Sequence, residues 1–426
     1  MPGPILQHLG RLLLVTALAG LLPAACSDRP RRNPLDPRAL NPVDGVTELR
    51  AVAGDGEVRL EWDYTLFTDV VGLRLERTVA GATPDSAVLV RDLPASTTGL
   101  VDVTVSNGVT YRYGLRLRLA EGGERQVDEA AWATPGPSLA WVADRGSGLV
   151  WQVSPDGRSA RLARGRFYTL ASLALNRADG SCWVSDERIA GLHRIGRDGS
   201  LSLRAADLLR PGDVSIDRSG TLGWVADTER RRVYWFAPAA ATGDLSLAEM
   251  DASFAEPSSL AAAGDACWVA DRVEGRVLLY RRDGARLGEW NGLSSPNKVV
   301  AGTDDPSLAW VLGAGGHSLH RLDAAGAAAP LSLPFAPVVD LQADADAGLC
   351  WLLGVEAVAA IDVDGDPVGQ WPLAGGGRLL TADGREGSLW VAHEQELWKL
   401  SRPGAVQARL TGFSRLVALA VDAGRR

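Results

Sequence analysis

A tryptophan that recurs at a nearly constant interval constrains this 426-residue chain more than any other feature. It stands in the motif Trp-Val-Ala-Asp, or in a worn form of that motif, at seven positions: Trp141, Trp183, Trp224, Trp268, Trp310, Trp351 and Trp390. Successive tryptophans are 42, 41, 44, 42, 41 and 39 residues apart. Repeats of about 40 residues with several short strands each are typical of a ring of four-stranded blades. The spacing therefore predicts seven similar β-units over residues 138–426.

Each unit has the same order of predicted strands, which we name a to d outward from the ring axis. Strand a often follows a proline, as in PGDVSI at Pro211, and strand b contains the tryptophan. A short loop leads to strand c, and in six units a hairpin signal that ends in glycine leads to strand d. The first unit begins directly at strand b, and the chain finishes on an extra a-like strand, Ser414–Gly424. We predict that this strand pairs with Ser138–Asp144 and closes the ring, because closure leaves no long inner edge unpaired.

The segment WVADTERRRVYWF, which begins at Trp224, resembles the NHL-type propeller repeat, an aromatic-Val-Ala-Asp strand followed by an Arg-Val-x-x-Phe strand. The resemblance covers about two thirds of the chain. It is looser in the last three units, where Gly313, Gly354 and His393 replace the aspartate. It implies a seven-bladed β-propeller.

Residues 46–135 have a different pattern, in which apolar residues mostly occupy every second position, the period of half-buried strands. GDGEVRLEWDY resembles the second strand of a fibronectin type III domain, and LVDVTVSNGVTYRYGLRL resembles its sixth strand with the approach to it. Trp62 then matches the core tryptophan of that family and Tyr111 its corner tyrosine. The expected fold class is therefore all-β: a fibronectin type III-like sandwich plus a seven-bladed β-propeller closed by the C-terminal strand.

The N-terminal sequence predicts where in the cell the protein is located. Residues 1–26 have the features of a secretory signal, with an apolar run of eleven residues that is too short to span a bilayer. The ending LLPAAC resembles a bacterial lipobox, which implies cleavage before Cys26 and lipidation of that cysteine. Ser27 follows, which by resemblance permits sorting to the outer membrane. Residues 27–45 are rich in Pro, Arg and Asp and are expected to form a flexible tether. We expect a lipid-anchored protein of the bacterial cell envelope.

Composition limits the chemistry. The formal net charge of −8 and the lack of a long basic stretch argue against nucleic acid as a partner. Most candidate chemical groups have a repeat position, so a packing role explains them. We expect the cysteines before the repeat tryptophans to be small buried residues, the histidines of strand c to pack, and the repeat aspartates to accept hydrogen bonds from the b–c loop. These residues are Cys182, Cys267 and Cys350, His193 and His320, and Asp144, Asp186, Asp227 and Asp271. The sequence DVDGDP, residues 362–367, is expected to be a turn rather than a calcium loop. No cofactor and no metal are predicted.

Strand direction places the d–a and b–c loops on one face of the ring and the a–b and c–d hairpins on the other. Loops from all units converge at the axis on the first face, so we expect the ligand site at that mouth. The polar residues at the starts of the a strands are the predicted contacts, with apolar Val339 in the sixth unit. These ligand-binding candidates are Tyr168, Asp213, Ser259, Lys298, Arg378 and Arg415.

These features favour a membrane-anchored, non-catalytic binding or scaffolding protein with a protein or polysaccharide partner in the cell envelope. The alternative is a propeller enzyme of the calcium-dependent hydrolase or metal-dependent lyase type, which needs several Asp, Asn or His ligands around the channel. The predicted mouth supplies only Asp213 and Asn297. Neither a Gly-x-Ser-x-Gly elbow nor a phosphate-binding glycine-rich loop occurs. Adhesion to a polymer through the sandwich is a third reading.

Overall fold

The structure is a computed structural model that describes residues 49–62, 70–83, 86, 88–127, 130–163, 166–197, 199–205, 207–238, 245–250, 252–326, 328–402 and 404–422. The predicted signal segment 1–26, the lipidation site Cys26 and the tether 27–45 lie outside these residues. The described chain is all-β, with one 3₁₀ turn at Ala314–Gly316. Within it, no helix is long and apolar enough to cross a membrane.

The N-terminal strands form two antiparallel sheets around one core. In β2, Val58, Leu60 and Trp62 are buried while Arg59 and Glu61 are exposed, as the alternating sequence predicts. One sheet has the order β1-β2-β5 and the other β4-β3-β6-β7, with β8 also paired to β6. The strands are β1 (Leu49–Ala53), β2 (Val58–Trp62), β3 (Val70–Val79), β4 (Val88–Pro94), β5 (Gly99–Asp102), β6 (Tyr111–Leu119), β7 (Glu124–Gln126) and β8 (Ala131–Ala133).

From Leu139 onward, the described residues form seven four-stranded antiparallel sheets. In the order a to d, the first sheet contains β36 (Leu416–Asp422), β9 (Leu139–Asp144), β10 (Leu149–Val153) and β11 (Ala160–Leu162). The second contains β12 (Leu170–Asn176), β13 (Ser181–Asp186), β14 (Gly191–Ile195) and β15 (Leu201–Ala205), and the third β16 (Pro211–Ile216), β17 (Gly223–Asp227), β18 (Arg232–Phe236) and β19 (Ala248–Glu249). The fourth contains β20 (Pro257–Ala263), β21 (Ala266–Asp271), β22 (Arg276–Arg281) and β23 (Arg286–Trp290), and the fifth β24 (Lys298–Ala301), β25 (Leu308–Gly313), β26 (Ser318–Asp323) and β27 (Ala328–Leu331). The sixth contains β28 (Val338–Asp344), β29 (Leu349–Gly354), β30 (Ala357–Asp362) and β31 (Pro367–Pro372), and the seventh β32 (Leu379–Asp383), β33 (Ser388–Ala392), β34 (Glu396–Ser401) and β35 (Val406–Thr411).

The two ends of this region meet in the first sheet. Strand β36 pairs antiparallel with β9, and Ala420 lies opposite Trp141, which is the pairing that the sequence predicts. The a strands of successive sheets also contact one another, from β12 through β16, β20, β24, β28 and β32 to β36, and β36 contacts β12. Repeated four-stranded antiparallel sheets of this kind are consistent with a β-propeller.

The repeat tryptophan supplies the core between neighbouring sheets. All seven are at most 1% exposed, and Trp268, for example, shares a cluster with Leu279 of its own sheet and Val311 of the next. Among the described residues, none of the seven indole N–H groups has a hydrogen-bond acceptor, so the tryptophans act through packing. The three cysteines beside them are free and buried, as predicted. Burial raises the pKa of each thiol, which keeps it protonated and unreactive.

Candidate functional site

The aspartate at the end of strand b positions the loops of one face. Asp186 is fully buried, and its carboxylate accepts hydrogen bonds from the backbone N–H groups of Arg188 (2.9 Å) and Ile189 (3.3 Å) in the b–c loop. This confirms the predicted role. The same carboxylate also accepts from the N–H groups of Tyr168 (2.6 Å) and Thr169 (3.1 Å), so it holds the d–a loop as well. Asp144, Asp227 and Asp271 bind their d–a loops in the same way.

A cavity of about 560 Å³ occupies the axis of the sheets. All seven a strands contribute to its lining. Because alternate residues of a strand point to the same side, the side chains facing the axis repeat every two residues. Among the residues that the structure describes, no aromatic side chain lines the cavity, and serine, alanine, aspartate and small aliphatic residues dominate the lining. The cavity is therefore polar and suited to a small solute rather than to a large apolar one.

Asp213 of β16 is the centre of one half of the lining. Its carboxylate accepts hydrogen bonds from the hydroxyls of Ser172 (2.7 Å) and Ser259 (3.2 Å), which lie on the two neighbouring a strands. It also accepts from the backbone N–H groups of Val214 (3.0 Å) and Leu260 (2.8 Å). Each carboxylate oxygen therefore has two donors. The side chain ties three consecutive a strands together around the axis.

Lys298 of β24 and Asp340 of β28 form an ion pair in the other half, with 2.6 Å between Nζ and Oδ1. The Asp340 side chain is 6% exposed and the Lys298 side chain 34% exposed, toward the cavity. Asp340 also accepts from the backbone N–H groups of Leu341 (2.9 Å) and Leu380 (2.8 Å). Burial of the ammonium lowers the pKa of Lys298. The negative charges of Asp340 and of the more distant Asp213 outweigh this effect, so the pKa lies above its ordinary value. The lysine is therefore a fixed cation at neutral pH.

A second layer of polar side chains lies two residues further along the same strands. It contains Ser215 of β16, Gln342 of β28 and Thr381 of β32. The Ser215 oxygen accepts a hydrogen bond from Ala262 N–H at 3.0 Å. The Thr381 hydroxyl forms no hydrogen bond among the described residues, although it lines the cavity. These groups extend the polar surface away from Lys298 along the axis.

The structure brings three of the six candidate ligand residues together in the cavity lining: Asp213, Ser259 and Lys298. The other three lie on the rim of the same face and are not among the lining residues. Tyr168 is 61% exposed and stacks with the guanidinium of Arg188, 5.3 Å from the ring centroid. Arg378 is exposed, 3.9 Å from Glu394, and Arg415 is exposed.

Sequence reasoning missed Asp340 because it took Val339 as the inward residue of the sixth unit. Strand β28 has a bulge between Val338 and Asp340, which moves Val339 outward, where it is 38% exposed. The same bulge occurs at the start of β16 and β20. An internal alignment of VVDL in the sixth unit with PGDV in the third, both with aspartate before an aliphatic residue, carries the signal that identifies Asp340.

The opposite end of the cavity, on the hairpin face, is crossed by Arg218. This residue lies in the a–b hairpin of the third sheet, and its guanidinium contacts Asp304 (3.3 Å) and Asp346. The two aspartates belong to the a–b hairpins of the fifth and sixth sheets. All three residues are part of the cavity lining. The Arg218 bridge therefore joins sheets that are not neighbours and narrows this end.

Other candidate groups have structural partners. The Asp362 carboxylate accepts hydrogen bonds from the N–H groups of Asp364 (3.0 Å) and Asp366 (2.9 Å), so DVDGDP forms the predicted turn. His193 is 6% exposed on β14, where burial lowers its pKa. The described residues contain no group of three His, Cys, Asp or Glu side chains with the geometry of a metal site.

Comparison with known proteins identifies the fold. No family model and no curated protein matches the chain. Among solved structures, a protein from Lactobacillus plantarum is similar with a TM-score of 0.54 and 14% identity, over 67% of this chain and 99% of that one. The Pseudomonas aeruginosa periplasmic gluconolactonase has a TM-score of 0.53 and 15% identity, over 67% and 98%. A streptogramin B lyase has a TM-score of 0.50 and 13% identity, over 65% and 87%. At these identities the similarity shows the fold alone, and that fold is a β-propeller.

Proposed function

We propose that this chain is a non-catalytic binding or scaffolding protein of the bacterial cell envelope that takes its ligand at the channel mouth between the d–a and b–c loops. The observation that carries the proposal is the Lys298–Asp340 pair, a charged group exposed to a cavity of about 560 Å³. Fixed polar groups in a concave cavity are the usual form of a binding site. The partner is a protein or a polysaccharide of the envelope.

We further propose that the seven sheets are the blades of one ring, closed by the C-terminal strand. The antiparallel pairing of β36 with β9 and the contacts between all successive a strands support this architecture. For the N-terminal module we propose a fibronectin type III-like domain. Its support is the buried Trp62 and the hydroxyl of Tyr111, which accepts a hydrogen bond from the backbone N–H of Ser106 at 3.0 Å, as a corner tyrosine does.

The proposed location rests on the sequence of the N-terminus. Lipid on Cys26 would hold the protein at the membrane, preferably the outer membrane, with the tether 27–45 as spacer. Replacing Cys26 with Ala is expected to move the protein from the membrane fraction to the soluble fraction. Retention of the variant in the membrane would overturn the lipid anchor.

Of the candidate residues, Lys298 is proposed as the charged contact inside the channel, beside Asp213 and Ser259. Tyr168, Arg378 and Arg415 are proposed as contacts on the rim. The test is a pull-down from the protein's own membrane that compares the wild type with the double variant Lys298→Glu and Arg378→Glu. We expect the double variant to lose the partner, with circular dichroism to show that it is folded. Because Lys298→Glu places a second carboxylate beside the buried Asp340, the variant Lys298→Met, Asp340→Leu and Arg378→Glu, which leaves no unpaired buried charge, is tested beside it and should lose the partner as well. A partner retained by a folded double variant would refute the site.

The alternative, a metal-dependent propeller enzyme, is kept because two of the solved structures with this fold are named as a lyase and a gluconolactonase. Metal analysis of the purified protein separates the two functions. We expect no stoichiometric metal, and one tightly held ion per chain would favour the enzyme.

A further inference from the structure

The two halves of the channel lining differ in how much hydrogen-bonding capacity they leave unused. On the side of β12, β16 and β20, both oxygens of Asp213 are occupied, and Ser172 and Ser259 each donate to that carboxylate. The Ser259 oxygen also accepts from Val299 N–H at 3.3 Å. We call this side the saturated wall, because the polar groups in the layer of Asp213 are already hydrogen-bonded to one another and leave few donors or acceptors for a ligand.

The strands β24, β28 and β32 form the other side, which we call the open wall. The ammonium of Lys298 has three N–H donors and uses one of them, toward Asp340. Oδ2 of Asp340 accepts a single hydrogen bond, from Leu380 N–H. Gln342 donates to the carbonyl of Ala343 at 3.2 Å and leaves its own Oε1 free, and the Thr381 hydroxyl has no partner among the described residues. The open wall therefore offers a ligand both donors and acceptors.

The local charge decides which kind of molecule these groups favour. Lys298 is neutralised by Asp340 across 2.6 Å, and Asp213 contributes a second carboxylate to the same layer. An added anion would meet an excess of one negative charge, and its interaction with Lys298 would compete with the existing ion pair. Hydroxyl groups have no such conflict, since each can accept from the ammonium and donate to a carboxylate or amide oxygen.

The spacing sets the size of the molecule. Lys298 and Asp340 lie in one layer, and Gln342 and Thr381 lie in the next, about 6.7 Å along the strands. A compound that satisfies both layers needs hydroxyl groups along a backbone of about this length, such as a hexitol or one sugar unit. None of the described residues that line the cavity is aromatic, so none of them favours a flat aromatic ligand.

We infer that the channel binds a small neutral polyhydroxy compound against the open wall, with Lys298 donating to its hydroxyl groups and Asp340, Gln342 and Thr381 accepting from them. The inference rests on the proposed function and specifies the ligand class of the same site. The compound is either a free polyol or the end unit of a neutral glycan, since both present the same hydroxyl chemistry.

Calorimetric titration of the full chain in mild detergent tests this with three probes of one carbon backbone: sorbitol, its carboxylate counterpart gluconate and its amine counterpart glucamine. We expect sorbitol to bind at millimolar concentration or tighter, and gluconate to bind about tenfold more weakly because of the excess negative charge. Glucamine should bind no more tightly than sorbitol, because its ammonium would face that of Lys298, the more exposed member of the ion pair. Lys298→Met should weaken sorbitol binding about tenfold and Thr381→Val about threefold. Maltotriose separates the sources, because tighter binding than sorbitol assigns a glycan end and weaker binding a free polyol.

Ser172→Ala, on the saturated wall, is the matched control and should change sorbitol affinity less than twofold. In the single variant Lys298→Met, the buried Asp340 has no charged partner and could prevent folding. The double variant Lys298→Met and Asp340→Leu removes both charges, so it separates loss of binding from loss of the fold. Tighter binding of gluconate or glucamine than of sorbitol, or sorbitol affinity that is unchanged in a folded Lys298→Met variant, overturns the inference. If no probe binds while the Lys298→Glu and Arg378→Glu variant still loses its membrane partner, the polyol inference fails and the proposed function stands. If the partner is retained as well, both fail.

Discussion

The first four sheets and the last three hold the loops at the end of strand b in different ways. In the first four, a buried aspartate at the end of strand b binds the backbone N–H groups of the loops, as Asp186 does with four of them. In the fifth and sixth sheets, Gly313 and Gly354 stand in its place, and the d–a loop fills the space of the missing side chain. A Cβ at Gly313 would collide with the Ser294 carbonyl, and one at Gly354 would lie 2.5 Å from the Phe335 ring.

The seventh sheet uses yet another arrangement. His393 occupies the aspartate position, stacks on Trp398 with 4.0 Å between ring centroids, and donates its backbone N–H to Glu396 at 2.8 Å. In the same b–c loop, the carbonyl of Glu394 accepts from Leu416 N–H of β36 at 2.9 Å. The comparison shows that a weak match to the repeat pattern reflects a different means of holding the loops and not a different fold.

The largest effect is expected when the carboxylate is removed. Asp186→Ala should lower the free energy of unfolding by about 4 kcal/mol, because four backbone N–H groups lose their acceptor in a buried site. Urea unfolding measures the change. Asp207→Ala is the control, since the Asp207 side chain is 100% exposed in the adjacent loop and should matter by less than about 0.5 kcal/mol. Equal effects of the two variants would show that the carboxylate is dispensable.

The converse change tests the glycine sheets. Gly313→Asp should destabilise the fold by about 2 kcal/mol, since the close approach of the Ser294 carbonyl leaves no space for a side chain. Gly114→Ala in the sandwich is the control, because its Cβ would meet nothing within 4 Å. A Gly313→Asp variant as stable as the wild type would show that the fifth sheet can also hold its loops through an aspartate. That result would contradict the difference between the first four sheets and the last three.

These residues also show how far the sequence predicts the molecule. The tryptophan period predicts the repeated sheets, because each unit buries the same residue in the same way. The pairing of the last strand is predicted by the first unit, which lacks strand a, and by the extra a-like strand near the C-terminus. The sequence did not predict that Asp186 also binds the d–a loop, since that contact joins segments 17 and 18 residues apart. The inward position of Asp340 was also missed, because a bulge of one residue reverses which side chains face the axis.

The repeat tryptophan is common to the first four and the last three sheets, so replacing it should cost the same free energy of unfolding in both groups. Trp224→Phe and Trp310→Phe should each cost about 1 kcal/mol, because the smaller phenyl ring leaves a cavity, while the indole N–H that is lost has no acceptor and so adds no cost. Chemical unfolding of the two variants measures the costs. A cost in one variant that exceeds the other by more than about 1 kcal/mol would show that the tryptophan cores of the two groups differ.

The smallest effect concerns pH. Burial lowers the pKa of His193 in the second sheet and of His393 in the seventh, so the folded chain keeps both neutral where the unfolded chain binds protons. Stability should therefore fall as the pH decreases through the ordinary histidine range near 6.5, and level off below the folded pKa. Each histidine should contribute less than about 1 kcal/mol between pH 7.5 and 5.5. Melting temperatures of His193→Phe and His393→Asn should show a flatter pH slope, and an unchanged slope in both would contradict the assignment.

The Arg218 bridge has a mechanical consequence for the proposed ring. If only neighbouring sheets were in contact, small rotations between them could widen the ring. The Arg218 ion pairs also connect the third sheet with the fifth and sixth, across the cavity. The Arg218 ion pairs therefore oppose widening of the hairpin end. A solute that enters past Lys298 therefore meets the Arg218 bridge at the far end of the cavity.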